Sequence, residues 1–303
     1  MSRPVFSATS ALDDARRALA GRIEFLPDKP EETLESTIRA LWFAAAGMPR
    51  SAEAALLGEP PELDDVAVAT FEVLLNKRLD GVPLSHLTFR QRFMGLEMLA
   101  DPRALIPRKE TELLATAAVQ ATKQSASVHE RPIVVDVCTG SGNVALAIAH
   151  HVESAHVFGA DLSGEAVALA RDNARLLGLQ DRVEFRSGDL LSPFESEAFV
   201  GKIDVLTCNP PYINSAKVST MSCEISDHEP RLAFDGGPLG IGILMKLTQQ
   251  APRFLRPGGW LAIEVGLGQG PALVKRLQAN PLFTYVECHE GEHGALRVIV
   301  ARC

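Results

Sequence analysis

Long apolar runs are absent from this sequence, and none approaches the roughly 18 residues that a membrane-spanning helix requires. Residues 1–7 also lack the apolar core of a secretory signal peptide. The five cysteines are scattered without C-x-x-C spacing, so neither a disulfide framework nor a zinc site is expected. These absences predict a cytoplasmic protein with reduced thiols, no membrane contact and no bound metal.

An excess of basic residues is lacking as well. The formal net charge is −8, whereas a protein that grips nucleic acid usually presents a basic face. Direct nucleic-acid binding is therefore not expected. At 303 residues the chain is long enough for a large core and for two domains.

A glycine-containing turn stands out in the stretch 133–149, which reads as a β-branched strand, a turn and an Ala-rich helix. Glycines at 140 and 142 would let backbone amides approach a bound nucleoside closely, near a helix N-terminus. The next apolar strand ends in Asp161, where an acidic residue can accept hydrogen bonds from both ribose hydroxyls. This pattern fits NAD and S-adenosylmethionine equally well.

The sequence Asn209-Pro210-Pro211-Tyr212 distinguishes these two cofactors. It follows the apolar run 203–208, and two consecutive prolines must end that strand. The rigid turn would present the Asn209 amide and the Pro210 carbonyl at the carboxyl end of the sheet, where ligands bind. With the flat face of Tyr212, this set suits a carboxamide or an aromatic amine. Methyl transfer to such a nitrogen needs this positioning, whereas hydride transfer does not.

With these motifs the chain resembles the class I S-adenosylmethionine-dependent methyltransferases, and specifically the protein-(glutamine-N5) methyltransferases. These include enzymes that act on peptide chain release factors and on the third large-subunit ribosomal protein. The resemblance covers residues 80–300. Besides the glycine turn and 209–212, it rests on the motifs at 81–87, 93–97, 105–112 and 229–237.

The resemblance implies S-adenosyl-L-methionine as cofactor and a protein with an exposed glutamine as partner. The expected cofactor-binding residues are Asp136, Cys138, Thr139, Gly140, Ser141, Gly142, Asp161, Asp189, Leu190 and Asn209. Asn209, Pro210, Pro211 and Tyr212 are expected to bind the substrate amide, and Asn209, Pro210 and Tyr212 to be catalytic. Asp136 could equally bind the cofactor's amino group through water or hold the turn. Two residues depart from the family pattern, Cys138 in place of glycine and Leu190 in place of an aromatic residue.

Strands and helices alternate after residue 130, which predicts an α/β fold with a doubly wound, mainly parallel seven-stranded sheet. Strands are expected near 133–137, 156–160, 183–186, 203–208, 260–265, 283–289 and 295–301, and helices near 110–123, 142–151, 164–177, 239–255 and 270–279. The link 291–294 predicts one antiparallel strand. Upstream, helices are expected at 11–19, from Pro30, at 51–57 and after Asp64 or Asp65, followed by a hairpin.

Three domains follow from this pattern: an N-terminal helical substrate-recognition domain at 1–83, a β-hairpin linker at 84–108 and a methyltransferase domain at 109–303. A monomer is expected. A release factor is the favoured substrate because 106–112 looks closest to that branch. The alternatives are the ribosomal protein, a nucleic-acid adenine reached by base flipping, and a catalytically weak module that binds a translation factor or the ribosome.

Overall fold

The computed structural model of the protein describes residues 8–291 and 294–303. The chain forms two compact units, one of Met1–Pro102 with Ser222–His228 and the other of Arg103–Met221 with Glu229–Cys303. We call the first the helical unit and the second the catalytic unit. The expectation about residues 1–7 lies outside the described residues, as do residues 292 and 293 of the predicted link 291–294.

The helical unit is built from short helices around its own apolar core. The helices are α1 (Ala8–Leu19), α2 (Leu34–Ala45), α3 (Ala52–Leu56), α4 (Asp65–Leu79) and α5 (Leu84–Thr88). The side chains of Trp42 and Phe71 meet edge to face at 5.1 Å in that core. Side-chain oxygens cap the helices as the sequence suggests, with Ser51 at the start of α3 and Asp64 at the start of α4.

Two local predictions for this unit were wrong. Helix α2 does not start at Pro30, because Thr33 and Ser36 form a reciprocal capping box that begins the helix at Leu34. The linker at 84–108 is not a hairpin throughout. Its first residues form the buried helix α5, which ends where Phe89 adopts a left-handed φ of 55°. The hairpin is confined to β1 (Gln91–Phe93) and β2 (Leu96–Met98).

The segment Ser222–His228 belongs to the helical unit although it lies far along the chain, which the sequence did not predict. Its Glu224 is buried and forms ion pairs with Lys29 at 2.6 Å and with Arg78 at 2.7 Å. Arg78 also pairs with Glu32 at 3.2 Å. A buried charge needs such partners, so this cluster explains why the segment packs with the helices.

The catalytic unit contains a seven-stranded sheet in the order β5-β4-β3-β6-β7-β9-β8. The strands are β3 (Ile133–Val137), β4 (His156–Asp161), β5 (Val183–Ser187), β6 (Ile203–Cys208), β7 (Leu255–Glu264), β8 (Tyr285–Glu290) and β9 (Leu296–Arg302). Among these seven strands only β9 points opposite to the other six, so the prediction of one antiparallel strand is confirmed. Strands β3 and β6 are buried almost throughout, as expected for a sheet covered on both faces.

Helices follow the strands in the doubly wound pattern. They are α6 (Glu112–Ala126), α7 (Asn143–His151), α8 (Gly164–Leu176), α9 (Ser215–Val218), α10 (Cys223–Ser226), α11 (Gly242–Phe254) and α12 (Gly270–Ala279), with α10 in the helical unit. Helix α11 begins three residues later than predicted. Gly240 has a left-handed φ of 67°, and an added Cβ there would clash with the backbone oxygen of Tyr212, so no side chain fits.

Among the residues that the structure describes, no helix is both long and apolar enough to cross a membrane. Within the same residues, no group of three or more His, Cys, Asp or Glu side chains is placed to hold a metal ion.

Candidate active site

A cavity lies at the carboxyl ends of the parallel strands in the catalytic unit, where a doubly wound sheet binds ligands. Ten of the residues singled out from the sequence line it: Asp136, Cys138, Thr139, Gly140, Ser141, Asp161, Asp189, Leu190, Asn209 and Pro211. Three others, all within the described residues, do not line it: Gly142, Pro210 and Tyr212. The structure thus brings the glycine turn and the start of the Asn209–Tyr212 turn to one space.

The glycine turn is built by backbone contacts. Gly142 precedes α7 with a left-handed φ of 82°, and an added Cβ there would lie 2.8 Å from the Phe185 ring. Asp161 accepts hydrogen bonds from the backbone N–H groups of Gly140 and Ser163, both at 2.9 Å. Desolvation raises the pKa of Asp161, and these hydrogen bonds oppose that rise. Asp161 therefore holds the turn and also lines the cavity.

Asp136 lies at the base of the turn and is only 2% exposed. Its two carboxylate oxygens accept hydrogen bonds from the hydroxyls of Thr139 and Thr207, each at 2.6 Å. Burial raises the pKa of Asp136 to about 6, against the effect of those two hydrogen bonds. These contacts hold the turn, and because Asp136 also lines the cavity its cofactor-binding role stays a prediction.

Both departures from the family pattern have left-handed backbone conformations. Cys138 has φ 56° and Leu190 has φ 50°, a region that a side chain makes unfavourable and glycine tolerates. Cys138 also lies beside the thiol of Cys208, which is fully buried at the end of β6. The space next to the turn is therefore occupied by sulfur where a glycine would leave it open.

Asp189, the residue expected to bind an adenine amino group, stands at the edge of the cavity. Its side chain is 54% exposed and forms an ion pair with Lys246 at 2.5 Å. An exposed pair of this kind contributes little to stability and breaks readily. Asp189 is thus accessible as an acceptor at the edge of the cavity.

The Asn209–Tyr212 turn is held mainly by side chains. Asn209 lines the cavity and donates a hydrogen bond from Nδ2 to Thr111 Oγ1 at 3.1 Å. Gln269 donates from Nε2 to the backbone carbonyl of Tyr212 at 3.0 Å and so fixes the end of the turn. Pro210 is buried at the point where the strand ends. The Tyr212 side chain turns away from the cavity into a polar cluster.

That cluster was not predicted from the sequence. The Tyr212 hydroxyl donates to Glu264 Oε1 at 3.3 Å and accepts from Arg297 Nη2 at 3.1 Å. Arg297 also forms an ion pair with Glu110 at 2.6 Å, which connects the cluster to the segment before α6. Desolvation raises the pKa of Glu264 to about 7, opposed by the nearby Thr111 hydroxyl and the Arg297 charge. Two features of the sequence could have indicated this cluster: Glu264 ends the apolar strand β7, and Arg297 lies within the apolar strand β9.

A second contact missed by sequence reasoning shapes the wall of the cavity. Glu229 is buried and accepts a hydrogen bond from the backbone N–H of Ile106 at 2.9 Å. It also forms an ion pair with Arg108 at 2.5 Å. Arg108, Pro107 and Pro230 all line the cavity. The Arg108–Glu229 ion pair therefore connects the part of the cavity wall at 107–108 to the part at Pro230. The role of Arg108 was left open by the sequence.

Comparison with known proteins gives consistent results. A family model described as "Methyltransferase domain" matches residues 129–284. The "Release factor glutamine methyltransferase" of Moorella thermoacetica is 38% identical over 264 residues, which cover 87% of each chain. The protein of the same name from Bradyrhizobium diazoefficiens is 34% identical over 90% of this chain and 88% of its own.

The chain belongs to the release factor glutamine methyltransferase family. The resemblance seen in the sequence is thereby confirmed, and the protein is a methyltransferase. The predicted α/β class with its seven-stranded sheet is also confirmed. Among solved structures, the hMettl16 catalytic domain in complex with the MAT2A 3′UTR hairpin 6 shares the fold, with a TM-score of 0.51 and 15% identity. That alignment covers 75% of this chain and 81% of the other. The roles of the individual site residues stay predictions.

Proposed function

We propose that this protein transfers a methyl group from S-adenosyl-L-methionine to the side-chain amide nitrogen, N5, of a glutamine in a peptide chain release factor. The names of the relatives from Moorella thermoacetica, Bradyrhizobium diazoefficiens and Geobacter sulfurreducens support this substrate. The observation that supports the chemistry is that Asn209 lines the same cavity as Asp161 and the glycine turn. A cofactor and an amide acceptor can therefore meet in one space.

The residues of the cavity fit the cofactor. The Asp161 carboxylate keeps lone pairs available for ribose hydroxyls, and Asp189 stands at the edge where it can accept an adenine amino group. An ideal Cβ on Gly140 would meet no described heavy atom within 4 Å, which leaves open space above the turn. Leu190, which is 5% exposed, would offer adenine an aliphatic surface in place of an aromatic ring.

The protein's own contribution to catalysis would be the placement of the acceptor nitrogen. An amide nitrogen is a poor nucleophile because its lone pair is delocalised. If the Asn209 Oδ1 and the Pro210 carbonyl each accept one N–H of the glutamine amide, they fix its plane and favour positive charge on nitrogen. Pro210 does not line the cavity itself. Its carbonyl would therefore have to accept the hydrogen bond from just beyond the end of β6.

The cofactor, held by the glycine turn and Asp161, would supply an electrophilic methyl group on a sulfonium, whose sulfur would keep the C–S electron pair on transfer to the glutamine nitrogen. The methylated nitrogen then loses one proton to water. Its positive charge makes that proton acidic, so no strong base is needed. Asn209 and Pro210 would hold the product amide through the same oxygen atoms during this loss.

The helical unit is proposed to recognise the protein substrate. It exposes large apolar side chains around α3 and α4: Leu56, Leu57, Val66 and Val73, with Leu57 at 77% and Val66 at 75% exposure. Apolar side chains exposed in this number on one small unit favour a protein partner. Replacement of Leu57 by Glu should raise KM for the protein substrate and leave cofactor affinity unchanged. An unchanged KM would remove this surface from the proposal.

Transfer of tritium from labelled cofactor tests the proposed function directly. Purified release factor should become labelled, protease digestion should release the label, and mass spectrometry should place it on one glutamine. Labelling of a ribosomal protein instead would move the activity to the other branch of the family. Label released by nuclease would indicate an adenine substrate. No label in any fraction would contradict the proposed function.

A further inference from the structure

The side chain of Gln269 joins three loops of the catalytic unit. Its Nε2 donates hydrogen bonds to the backbone carbonyls of Tyr212, at 3.0 Å, and of Gly240, at 3.1 Å. Its Oε1 accepts a hydrogen bond from the backbone N–H of Gly266 at 3.0 Å. The three partners belong to the Asn209–Tyr212 turn, to the segment before α11 and to the segment after β7. Gln269 itself immediately precedes α12, so this helix supports the side chain.

These partners suit a single orientation of the Gln269 amide. An amide has two N–H donors on its nitrogen and an acceptor on its oxygen. Both donors face backbone carbonyls and the oxygen faces a backbone N–H, so a flipped amide would set like groups against each other. An ionised carboxylate of the same shape has no donor, and it would place a negative charge beside both carbonyls. The surroundings therefore require an amide at position 269.

Two of the loops joined by Gln269 also pack directly on Tyr212. An ideal Cβ on Gly240 would clash with the Tyr212 carbonyl oxygen, and one on Gly266 would lie 2.9 Å from the Tyr212 ring. Glycine at both positions lets the backbone approach Tyr212 closely. A change at Gln269 would therefore alter the surroundings of both the Tyr212 carbonyl and the Tyr212 ring.

The two ends of the Asn209–Tyr212 turn are held by different contacts. The first residue of the turn follows β6, which is paired on one side with β3 and on the other with β7. At the other end, the polar cluster holds the Tyr212 hydroxyl, and Gln269 holds the Tyr212 carbonyl. The two prolines between the ends have fixed φ angles, which makes the turn stiff. A shift of the Tyr212 carbonyl would therefore also move the carbonyl of Pro210.

We propose that Gln269 is a positioning residue that fixes the Tyr212 end of the turn and thereby places the oxygen atoms of Asn209 and Pro210 for the acceptor nitrogen. This rests on the proposed function, because it assumes an amide acceptor at the turn. Gln269 does not line the cavity, so it acts on the reaction through the turn and not by contact with a ligand. Its loss should lower kcat and leave the cofactor affinity unchanged.

The central test is Gln269→Glu, which keeps the shape and the acceptor for Gly266 but removes both donors. Gln278→Glu is the matched control, because Gln278 is exposed on the same helix α12 and the replacement adds the same charge. Gln269→Met removes all three hydrogen bonds without adding a charge. For each protein, kcat and KM on purified release factor and the cofactor dissociation constant are measured over a range of pH.

For Gln269→Glu at about pH 8 we expect kcat to fall about ten-fold, below the roughly 10²-fold that a misplacement of reacting groups by 1 Å can cost. The cofactor dissociation constant should stay within about two-fold, because the glycine turn and Asp161 are unchanged. The two carbonyl oxygens favour the protonated form of the introduced carboxyl group, which can donate to one of them. The loss of kcat relative to the unmodified enzyme should therefore shrink as the pH falls toward about 6.

Gln269→Met should lose kcat to a similar extent at every pH, and Gln278→Glu should lose none. Should the charged variant not fold, Gln269→Met decides by the same split between kcat and cofactor affinity. An unchanged kcat, a loss that does not shrink at lower pH in Gln269→Glu, or an equal loss of cofactor affinity would overturn the inference.

A second measurement needs no substrate, so it separates this inference from the proposed function. The sequence contains 2 tyrosines, Tyr212 and the half-exposed Tyr285 of β8. Protein labelled with fluorotyrosine should give one ¹⁹F signal for each, and Tyr285→Phe assigns them. In Gln269→Glu the Tyr212 signal should shift at the higher pH and return toward its original position at the lower pH, while the Tyr285 signal stays in place. An identical Tyr212 signal in both proteins would refute the inference whatever the substrate is. Failure of the unmodified enzyme to label release factor would refute the proposed function alone.

Discussion

The two halves of the cavity are held together in different ways. On the cofactor side, backbone groups and near neighbours in sequence contribute most of the contacts, such as Thr139 on Asp136 and Gly140 on Asp161, and Thr207 adds one distant side chain. On the acceptor side, the Asn209–Tyr212 turn depends on side chains far along the chain. Glu264 and Arg297 follow Tyr212 by more than 50 residues in sequence, and Thr111 precedes Asn209 by 98.

This difference separates two tasks. A nucleoside is gripped by backbone amides and one carboxylate, which suits a turn whose shape follows from glycine positions. An amide acceptor must be oriented about its plane, and only side chains with fixed donors and acceptors can do that. We therefore expect changes on the cofactor side to alter affinity and changes on the acceptor side to alter rate.

The largest expected effect comes from Asn209→Ala on the acceptor side. Loss of one positioning acceptor at the reacting nitrogen should lower kcat on the order of 10²-fold. The cofactor dissociation constant should stay within a few-fold, because the glycine turn and Asp161 remain. Methyl-transfer assays on release factor and titration calorimetry with the cofactor measure the two quantities. An unchanged rate would refute the amide clamp and with it the main reason for amino-methyl transfer.

The pH dependence of stability should distinguish the two sides as well. Burial raises the pKa of Glu264 to about 7, from an ordinary value of 4.5. The folded state therefore favours the protonated acid, so the stability linked to Glu264 is complete below pH 4.5 and is lost as the pH rises through 7. Relative to Glu264→Gln, the unmodified protein should lose about 3 kcal/mol between pH 4.5 and pH 8. Urea unfolding of both proteins at half-unit pH steps measures this.

Asp136→Asn offers the same comparison on the cofactor side. The pKa of Asp136 is raised from 3.8 to about 6. The stability linked to Asp136 should therefore be lost in a lower pH window, between 3.8 and 6. Glu195→Gln serves as a control, because Glu195 is a surface acid paired with Arg253. The difference in free energy of unfolding between Glu195→Gln and the unmodified protein should vary little over the same pH range. Identical profiles for Glu264→Gln and Glu195→Gln would contradict the burial argument.

A smaller effect is expected for Asp161→Asn. The asparagine keeps one acceptor oxygen for the backbone N–H groups but loses the charge offered to the ribose. Cofactor binding should weaken by at least about 1 kcal/mol, or roughly five-fold, the scale of a lost charge-assisted hydrogen bond. Calorimetric titration of the variant measures this, and kcat at saturating cofactor should hardly change. Unchanged affinity would remove Asp161 from the cofactor site.

The same contrast explains what could be predicted from the sequence. The glycine turn, the place of Asp161 at a strand end and the approximate strand positions follow from local patterns, since a β-branched run, two glycines and an acid suffice. The roles of Thr111, Glu264 and Arg297 depend on which strands and loops become neighbours, which no local pattern states. Pro30 failed as a helix start for a related reason, because the Thr33–Ser36 capping box competes with it and begins the helix four residues later.

The smallest expected effect concerns Cys138, the departure from the family pattern on the cofactor side. Its left-handed φ of 56° is unfavourable for a residue with a side chain and neutral for glycine. Cys138→Gly should therefore change the free energy of unfolding by less than about 1 kcal/mol, since relief of strain offsets the greater entropy of the unfolded chain.

Because the same replacement removes a Cβ and a thiol at the wall of the cavity, cofactor affinity should stay equal or improve up to about three-fold, a gain of less than 1 kcal/mol. Cys138→Ala is the matched control, because it removes the thiol while keeping the Cβ and the strain. If both variants lost affinity while remaining folded, the Cys138 thiol would have a binding role. If only the glycine variant lost affinity, the turn would depend on the Cβ of Cys138, and a side chain's fit would matter on the cofactor side as it does on the acceptor side.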